Sequence, residues 1–429
     1  MRHRLIAVCT VFLLLLVVSP AWAGVNLDIN GSSYSPIIAP QLENGITMIP
    51  TYAVGRVLGA EITVADNVIT ITKGARTLKL LLNDTRADLD GNQLIMPKAP
   101  ALVNGEVMVP LRFICETFGA TVSWEQKSQT AGVQYSEKRQ GMSVDELLIK
   151  SSEAILKYNT YKTKVAISMD MEMANKAKKE ETFNAAVNMA MDLAMQQKPL
   201  MIYGKTTIDS PAVPEAHNLP IVAAIEMFIN EEGMFMTMPE QEGWFKMNIP
   251  GMDMASLIEQ SNSNDPVSSL RMMQESGAIM SFGDDQERDG RTYWVINVTL
   301  GADSFSKLFE NVMGQMSGLP GMGDESNLNQ GLSDMMQALF KNMKADIAYR
   351  VWVDQTSLLP NTMDLNARIN LFVPATTVGD ETTEPFAMRI TEKATYEIYD
   401  LGKPFTAPDV SQAKDLNEYL EQQISTTQL

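Results

Sequence analysis

Methionine is the residue whose spacing most readily suggests chemistry in this chain. Met169, Met171 and Met173 occupy every second position of one short stretch, and the whole sequence holds 30 methionines. Thioether sulfurs favour Cu(I), so this spacing is compatible with a ladder of copper ligands. The same alternation is typical of a half-buried β-strand, in which successive side chains point to opposite faces of a sheet. Which interpretation holds depends on the residues around the methionines.

The other residue types that bind metals or perform catalysis are scarce. Cysteine and histidine occur twice each, and a signal peptide over 1–23 would remove Cys9 and His3. Only Cys115 and His217 then remain, which excludes intramolecular disulfides, most histidine-based triads and His-rich metal sites. No serine-hydrolase, zinc-protease, P-loop or dinucleotide-binding motif occurs, so we expect no catalytic residue, no cofactor and no metal.

The first 23 residues have the three parts of a secretory signal peptide. Two arginines precede an apolar run from Leu5 to Val18, and a small-x-small cleavage site ends at Ala23. We therefore expect a secreted protein of the cell envelope whose mature chain begins at Gly24. The formal net charge of −18 disfavours nucleic acid and anionic membrane surfaces as partners.

A shift of 60 residues superimposes two stretches in the first third of the sequence. The Asn-Gly and Asp-Gly pairs in each stretch predict hairpin turns, the prolines predict helix starts, and later glycines predict left-handed helix ends. Residues 24–136 are therefore predicted to form a domain of two ββαββ repeats. The aligned identities include Gly31, Asn44, Gly45, Pro50 and Gly59, which fall on Gly91, Asn104, Gly105, Pro110 and Gly119.

The stretch from Asn104 to Trp124, NGEVMVPLRFICETFGATVSW, resembles the copper amine oxidase N-terminal-like domain. The resemblance covers about 25–135 and contains no histidine. In the oxidases this region is a stalk away from the copper, so the resemblance implies an extracellular spacer or wall-interaction module without catalysis. The second repeat keeps a Pro-Leu-Arg element at 110–112, whereas the first has Pro-Thr-Tyr at 50–52.

A short polar linker over 137–142 leads to a larger domain, which we predict over 143–408, followed by a tail over 409–429. Ser143 and Glu146 form a capping box at the start of an amphipathic helix. After this helix the apolar period changes to two, which predicts long antiparallel strands with one apolar face. The predicted fold class of the whole chain is α+β, with a curved antiparallel sheet covered by helices.

The apolar face of these strands is the predicted binding site. Two further helices, predicted over 303–316 and 328–343, either simply cover the sheet or form a lid over a cavity. Between them lies a stretch rich in glycine. The candidate ligand-binding residues are Met169, Met171, Met173, Met189, Met191, Met195, Met234, Met236, Phe309, Met313, Met336 and Phe340.

The segment Val351-Trp352-Val353-Asp354, followed by Leu359-Pro360, looks like part of the half-barrel of bacterial lipoprotein and lipid carriers of the LolA and LppX type. The likeness covers about 142–405 and extends to related envelope proteins of Gram-positive bacteria. It implies a curved antiparallel sheet that cups acyl chains beneath helices. The lipidation cysteine of the lipid-carrier lipoproteins is lacking.

Three functions are compatible with these patterns. The leading hypothesis is an exported non-catalytic envelope protein that binds a lipid, a lipoprotein or another apolar ligand in its half-barrel. The alternative is a purely structural or cell-wall interaction protein whose half-barrel is filled by its own side chains. The third is copper handling through methionine sulfurs. The sequence leaves the oligomeric state open.

Overall fold

The computed structural model describes residues 25–419 and residue 422, except 104, 176–181, 210–221, 240, 248–265, 309–342, 374–376, 379–380 and 383–384. The predicted signal peptide and His217 lie outside these residues. The described part of the chain is mostly β, and its named helices are few and short. The α+β class predicted from the sequence therefore overstated the helix content. The helices are α1 (Thr51–Leu58), α2 (Leu111–Thr117), α3 (Val144–Ile155) and α4 (Pro266–Glu275).

The N-terminal part of the chain contains α1, α2 and short strands joined by tight turns. Asn30, Asn44 and Asp90 have φ between 52° and 53° and each precedes a glycine with positive φ, as the predicted hairpin turns require. The strands are β1 (Asn26–Ile29), β2 (Ser32–Tyr34), β3 (Gln41–Glu43), β4 (Ile46–Pro50), β5 (Glu61–Ala65), β6 (Val68–Lys73), β7 (Arg76–Leu81), β8 (Arg86–Leu89), β9 (Asn92–Ile95), β10 (Ala101–Val103), β11 (Glu106–Pro110), β12 (Thr121–Glu125) and β13 (Thr130–Gln134).

These strands form three small sheets that mix the two halves of the domain. The orders are β12-β13-β1-β2, β10-β11-β4-β3 and β5-β6-β7-β8-β9. Strand β1 pairs in parallel with β13, so the first and last strands of the domain are neighbours. A hairpin followed by a helix occurs in each half, as β3-β4-α1 and β10-β11-α2. A complete duplicated ββαββ unit stays a prediction.

One apolar core holds the N-terminal part together. Ile49 and Val109, which pair across β4 and β11, are fully buried and pack in the same cluster as side chains of both helices. Each helix follows a proline, Pro50 or Pro110, which ends the preceding strand and occupies the N-cap position without a side-chain capping hydrogen bond. Gly59 ends α1 in the left-handed conformation predicted for it, at φ 66°.

The rest of the chain forms a 13-stranded curved sheet with the order β20-β22-β23-β24-β27-β14-β15-β16-β17-β18-β19-β28, and β21 pairs with β22. All pairs are antiparallel except β19 with β28. The strands, with a separate β25-β26 hairpin, are β14 (Thr160–Asn175), β15 (Thr182–Gln196), β16 (Met201–Asp209), β17 (Val222–Asn230), β18 (Gly233–Met236), β19 (Phe245–Met247), β20 (Ile279–Phe282), β21 (Gln286–Arg288), β22 (Arg291–Leu300), β23 (Met343–Asp354), β24 (Pro360–Val373), β25 (Thr377–Val378), β26 (Glu381–Thr382), β27 (Phe386–Tyr399) and β28 (Lys414–Asp415).

Helix α3 begins with the predicted capping box. The Ser143 side chain accepts a hydrogen bond from the backbone N–H of Glu146, and the Glu146 carboxylate accepts one from the backbone N–H of Ser143. Leu147 of α3 and Leu270 of α4 pack with residues of β20, β22 and β23 in a second core. Both helices therefore cover one end of the large sheet.

Candidate ligand-binding face

Antiparallel pairing gives the large sheet two chemically different sides. The row Ile296, Val351, Met363, Tyr396, Val165 and Met191 runs across six strands and marks the side on which α3 and α4 pack, which we call the helix face. The neighbouring row marks the opposite face and consists of Asn297, Arg350, Asp364, Thr395, Ala166 and Ala190. The helix face is apolar and the opposite face is polar.

The eight predicted methionines in the described part of the chain share the helix face. They lie on three strands, β14, β15 and β18, and each side chain is half-buried. Met169 pairs with Val187, and Ile167 pairs with Met189, so methionine alternates with valine and isoleucine in the same rows. The other four predicted site residues, Phe309, Met313, Met336 and Phe340, lie outside the described residues.

Burial of the helix face falls from one end to the other. Under α3 and α4, Ile296 and Val298 of β22 are fully buried. On β14 to β17 most residues of this face are half-buried, and Met227 is 42% exposed. The start of the helix predicted over 303–316 is confirmed, because residues 302–308 are helical. The rest of this helix and nearly all of the helix predicted over 328–343 lie outside the described residues. The last residue of the second predicted helix, Met343, instead starts β23. The formation of a lid by those helices stays a prediction.

The C-terminal tail reaches the far edge of the sheet. Strand β28 pairs in parallel with β19 through Phe245 and Lys414, and the ring of Tyr419 lies 5.0 Å from that of Phe245. Phe245 is fully buried, and the register places it on the same face as the methionines. The first residues of the tail thus extend the sheet.

The described part of the methionine face has no histidine or cysteine beside the methionines. Among the described residues, no group of three or more His, Cys, Asp or Glu side chains could hold a metal ion. Of the eight predicted methionines in the described part of the chain, one has a hydrogen-bond partner at its sulfur: the Tyr161 hydroxyl donates to the Met195 sulfur at 2.7 Å. The geometry is that of a continuous apolar surface.

One residue on the helix face was missed by the sequence interpretation. The register places Glu392 between Ala367 of β24 and Met169 of β14, in line with Ile390 and Ala394 along β27. The alternation of side chains along β27 is enough to predict that this carboxylate lies on the helix face. The sequence interpretation missed it because it considered only the apolar residues of that face. Glu392 is half-buried.

The opposite face carries the N-terminal domain. Arg56 of α1 forms an ion pair with Asp346 of β23, whose side chain is completely buried. Two more ion pairs join the domains at exposed positions, Arg350 with Glu61 and Arg368 with Glu106 at 2.8 Å. None of these pairs could be predicted from local sequence, because each joins residues more than 250 positions apart.

A cavity of about 790 Å³ lies between α1 and the opposite face. Its lining is polar, with Arg56, Asn297, Arg350 and Lys393 among the contributing side chains. At one side the guanidinium of Arg288 stacks on the Trp352 ring, 3.1 Å from its centre. Because three arginines near this cavity already pair with carboxylates, its charges are largely compensated within the protein.

The predicted linker is tied into the domain junction. The Glu137 carboxylate lies 3.3 Å from both the Lys73 ammonium and the Arg139 guanidinium, and Arg139 also pairs with Asp285. Burial lowers the pKa of Lys73, and the nearby Glu137 and Asp284 carboxylates partly oppose this shift. Residues 137–142 therefore form part of a charged interface.

Two family models match the chain. Residues 28–133 match the copper amine oxidase N-terminal domain, which confirms the resemblance found in the sequence. Residues 143–414, more than half of the chain, match the family of unknown function DUF6612. The chain belongs to this family. The DUF6612 region contains the whole helix face, from α3 to β28. No curated protein matches the chain.

Solved structures similar to the chain include three bacterial proteins. Lipoprotein LppX of Mycobacterium tuberculosis is 12% identical, with a TM-score of 0.29, over 62% of this chain and 98% of its own. LprF of Mycobacterium bovis is 11% identical, with a TM-score of 0.27, over 62% of this chain and 96% of its own. A LolA superfamily protein of Nitrosomonas europaea is 12% identical, with a TM-score of 0.17, over 62% and 96%.

Among the helices in the described part of the chain, none combines the length and the apolar character needed to cross a bilayer.

Proposed function

We propose that this DUF6612 protein is an exported, non-catalytic protein of the cell envelope that holds an apolar ligand against its helix face. The ligand is a lipid, or the acyl chain of a lipoprotein. The observation that carries the proposal is the extent of the helix face. It continues across β27, β14, β15 and β16 beyond the part covered by α3 and α4, with half-buried methionines in place of a filled core.

Methionine suits a face that grips ligands of varied shape. Its side chain is unbranched and flexible, and its sulfur is polarisable, so the same surface can repack around different chains. Met169, Met171 and Met191 are contributed by two adjacent strands and form one patch on the helix face. Apolar area removed from water there would stabilise a complex by about 25 cal/mol per Å².

The location and organisation of the protein belong to the same proposal. Residues 1–23 act as the export signal in this proposal, and cleavage follows Ala23. The two domains, residues 24–136 and 143–408, then lie outside the cytoplasm. The N-terminal repeats would serve as a wall-interaction module or spacer. The wide contact between α1 and the large sheet supports a module that acts together with the sheet.

A purely structural protein with a filled core is the competing function, and a ligand experiment separates the two. Protein purified from its own host should carry a lipid that is visible by native mass spectrometry. A neutral apolar fluorophore such as Nile red should bind and be displaced by lipid. Absence of co-purified lipid together with no fluorophore binding would contradict the carrier proposal and favour the structural one.

Substitutions on the two faces make this experiment specific. Met169→Gln keeps the length of the side chain but makes the patch polar, so it should weaken Nile red binding several-fold. Asn188→Gln lies on the opposite face of β15 and should leave binding unchanged, because Asn188 pairs with Ser168 away from the methionines. Equal effects of both substitutions would place the fluorophore elsewhere.

A further inference from the structure

A single carboxylate lies within the methionine-lined part of the helix face. In the described residues of strands β14 to β18, β20, β22 to β24 and β27, the register places no other charged side chain on this face. Glu392 lies in the row formed by Leu300, Ile347, Ala367, Met169 and Val187, so all its cross-strand neighbours are apolar.

Glu392 has no ion-pair or hydrogen-bond partner among the residues that the structure describes. The next polar residue that the register places on the same face of β27 is Tyr396, four residues further along the strand. Burial raises the pKa of Tyr396, and the negative charge of Glu392 raises it further. A tyrosine does not neutralise a carboxylate.

The surroundings of Glu392 leave room for a ligand atom. Two of its neighbours, Ala367 and Ala394, are small, and both are buried in the floor of the face. Glu392 itself stays half-buried, so its carboxylate is reachable from the side occupied by ligand. If an apolar chain covered this face, the carboxylate would lose water and would need a positive partner, because an unpaired buried charge is strongly unfavourable.

We propose that the helix face binds a single-chain amphiphile whose ammonium head group pairs with Glu392 while its alkyl chain lies along Met169, Met171 and their neighbours. This inference rests on the proposed function and adds a head-group class to it. A lipid with a free amine or a quaternary ammonium fits the site. A fatty acid or a lipid with only a phosphate does not, because its anionic head would lie against Glu392 in an already acidic protein.

Three dodecyl amphiphiles, used below their critical micelle concentrations, test the proposal on the intact mature chain. Dodecylammonium, neutral dodecyl maltoside and dodecanoate share one alkyl chain and differ in head charge. Isothermal titration calorimetry should show dodecylammonium binding about tenfold tighter than the maltoside, the ratio expected for one charge-assisted contact. Dodecanoate should bind weakest.

Two isosteric substitutions separate a specific pair from general attraction to an acidic protein. Glu392→Gln should remove the preference for dodecylammonium and leave binding of dodecyl maltoside unchanged. Glu397→Gln changes the net charge equally but lies on the exposed opposite face of β27, where Glu397 pairs with Lys164 in the register, and should preserve the preference. Thermal unfolding of each variant verifies that it is folded.

The outcomes distinguish this inference from the proposed function. Binding of the neutral amphiphile without any ammonium preference, or an equal effect of both substitutions, would overturn the role of Glu392 and leave apolar binding in place. Failure of all three amphiphiles to bind would overturn the proposed function and this inference with it.

Discussion

Arg56 of α1 and Asp346 of β23 form a buried ion pair that joins the N-terminal domain to the large sheet across 290 positions of sequence. Helix α1 makes a second polar contact with the large sheet at the same residue, because the Ser281 hydroxyl of β20 donates to the backbone carbonyl of Arg56 at 3.0 Å. One oxygen of Asp346 has no hydrogen-bond partner among the described residues and is buried. The carboxylate therefore depends heavily on Arg56 for its stabilisation.

Removing the cation from this pair should be costly. Arg56→Met leaves Asp346 charged and buried without a partner, and we expect the free energy of unfolding to fall by about 3 to 5 kcal/mol. The double variant Arg56→Met with Asp346→Leu should recover most of the loss. Urea unfolding of both variants measures the two effects.

A matched control uses an exposed pair of the same interface. Arg350→Gln removes the partner of Glu61, whose side chain is 63% exposed, so we expect a change within about 1 kcal/mol. A loss as large as that of Arg56→Met would show that exposed pairs carry the interface.

Gly59 should resist substitution for a reason that its repeat equivalent Gly119 does not share. A Cβ on Gly59 would lie 1.9 Å from the carbonyl oxygen of Phe282, whereas a Cβ on Gly119 would meet no atom within 4 Å. Both glycines have positive φ, so Gly119→Ala should cost only about 1 kcal/mol of backbone strain. Gly59→Ala should cost clearly more in the same urea experiment, because backbone must move. Similar losses for the two variants would contradict the observed close approach.

Lys73 should make stability depend on alkaline pH. Burial lowers its pKa in the folded protein below the ordinary 10.5. Between the lowered value and 10.5 the unfolded chain binds more protons than the folded one, so this residue's contribution to stability rises with pH across that interval. The free energy of unfolding of the wild type, minus that of Lys73→Met, should therefore increase as the pH is raised toward 10.5. A difference that stays constant or falls over this pH range would contradict the prediction.

Cys115 should be unreactive in the folded protein. It is fully buried, and burial raises the pKa of its thiol from 9.0 to about 12, which lowers the thiolate fraction about a thousandfold. Ellman's reagent should therefore find no thiol in the native mature chain at about pH 8 and one thiol after unfolding in guanidinium. Rapid reaction of the native protein would show that the core around α2 opens readily.

The methionines should not form a tight copper site. They alternate with valine and isoleucine on the helix face, and the described part of that face offers no histidine or cysteine beside them. A Cu(I) competition titration with bicinchoninate should show no stoichiometric high-affinity binding. Tight binding of one copper per chain would support the copper-handling hypothesis instead.

Local features of the fold were predictable from the sequence because they depend on a few adjacent residues. The turns at Asn30-Gly31 and Asp90-Gly91, the capping box of Ser143 and the left-handed end of α1 at Gly59 all reflect backbone preferences. The period of two likewise predicted the long strands and the shared face of Met169 and Met191.

Features that join distant segments were not predictable from a single sequence. The parallel pairing of β1 with β13 and the contact of α1 with β20 and β23 depend on which surfaces meet. Gly59 also allows the Phe282 carbonyl to approach closely, but its local sequence indicates only that it ends a helix. Glu392 was visible in the alternation of β27, but nothing local shows that its neighbours across the sheet are all apolar.

The pairing of β1 with β13 also determines how much distance the N-terminal domain can span. The Asn30 side chain donates to the backbone carbonyl of Tyr135 and accepts from the Tyr135 backbone N–H, both at 2.8 Å, so the chain enters and leaves the domain at one place. A domain with adjoining ends adds almost no length between the segments attached on its two sides. Of the two roles proposed for this domain, its adjoining ends favour a wall-interaction module over a spacer.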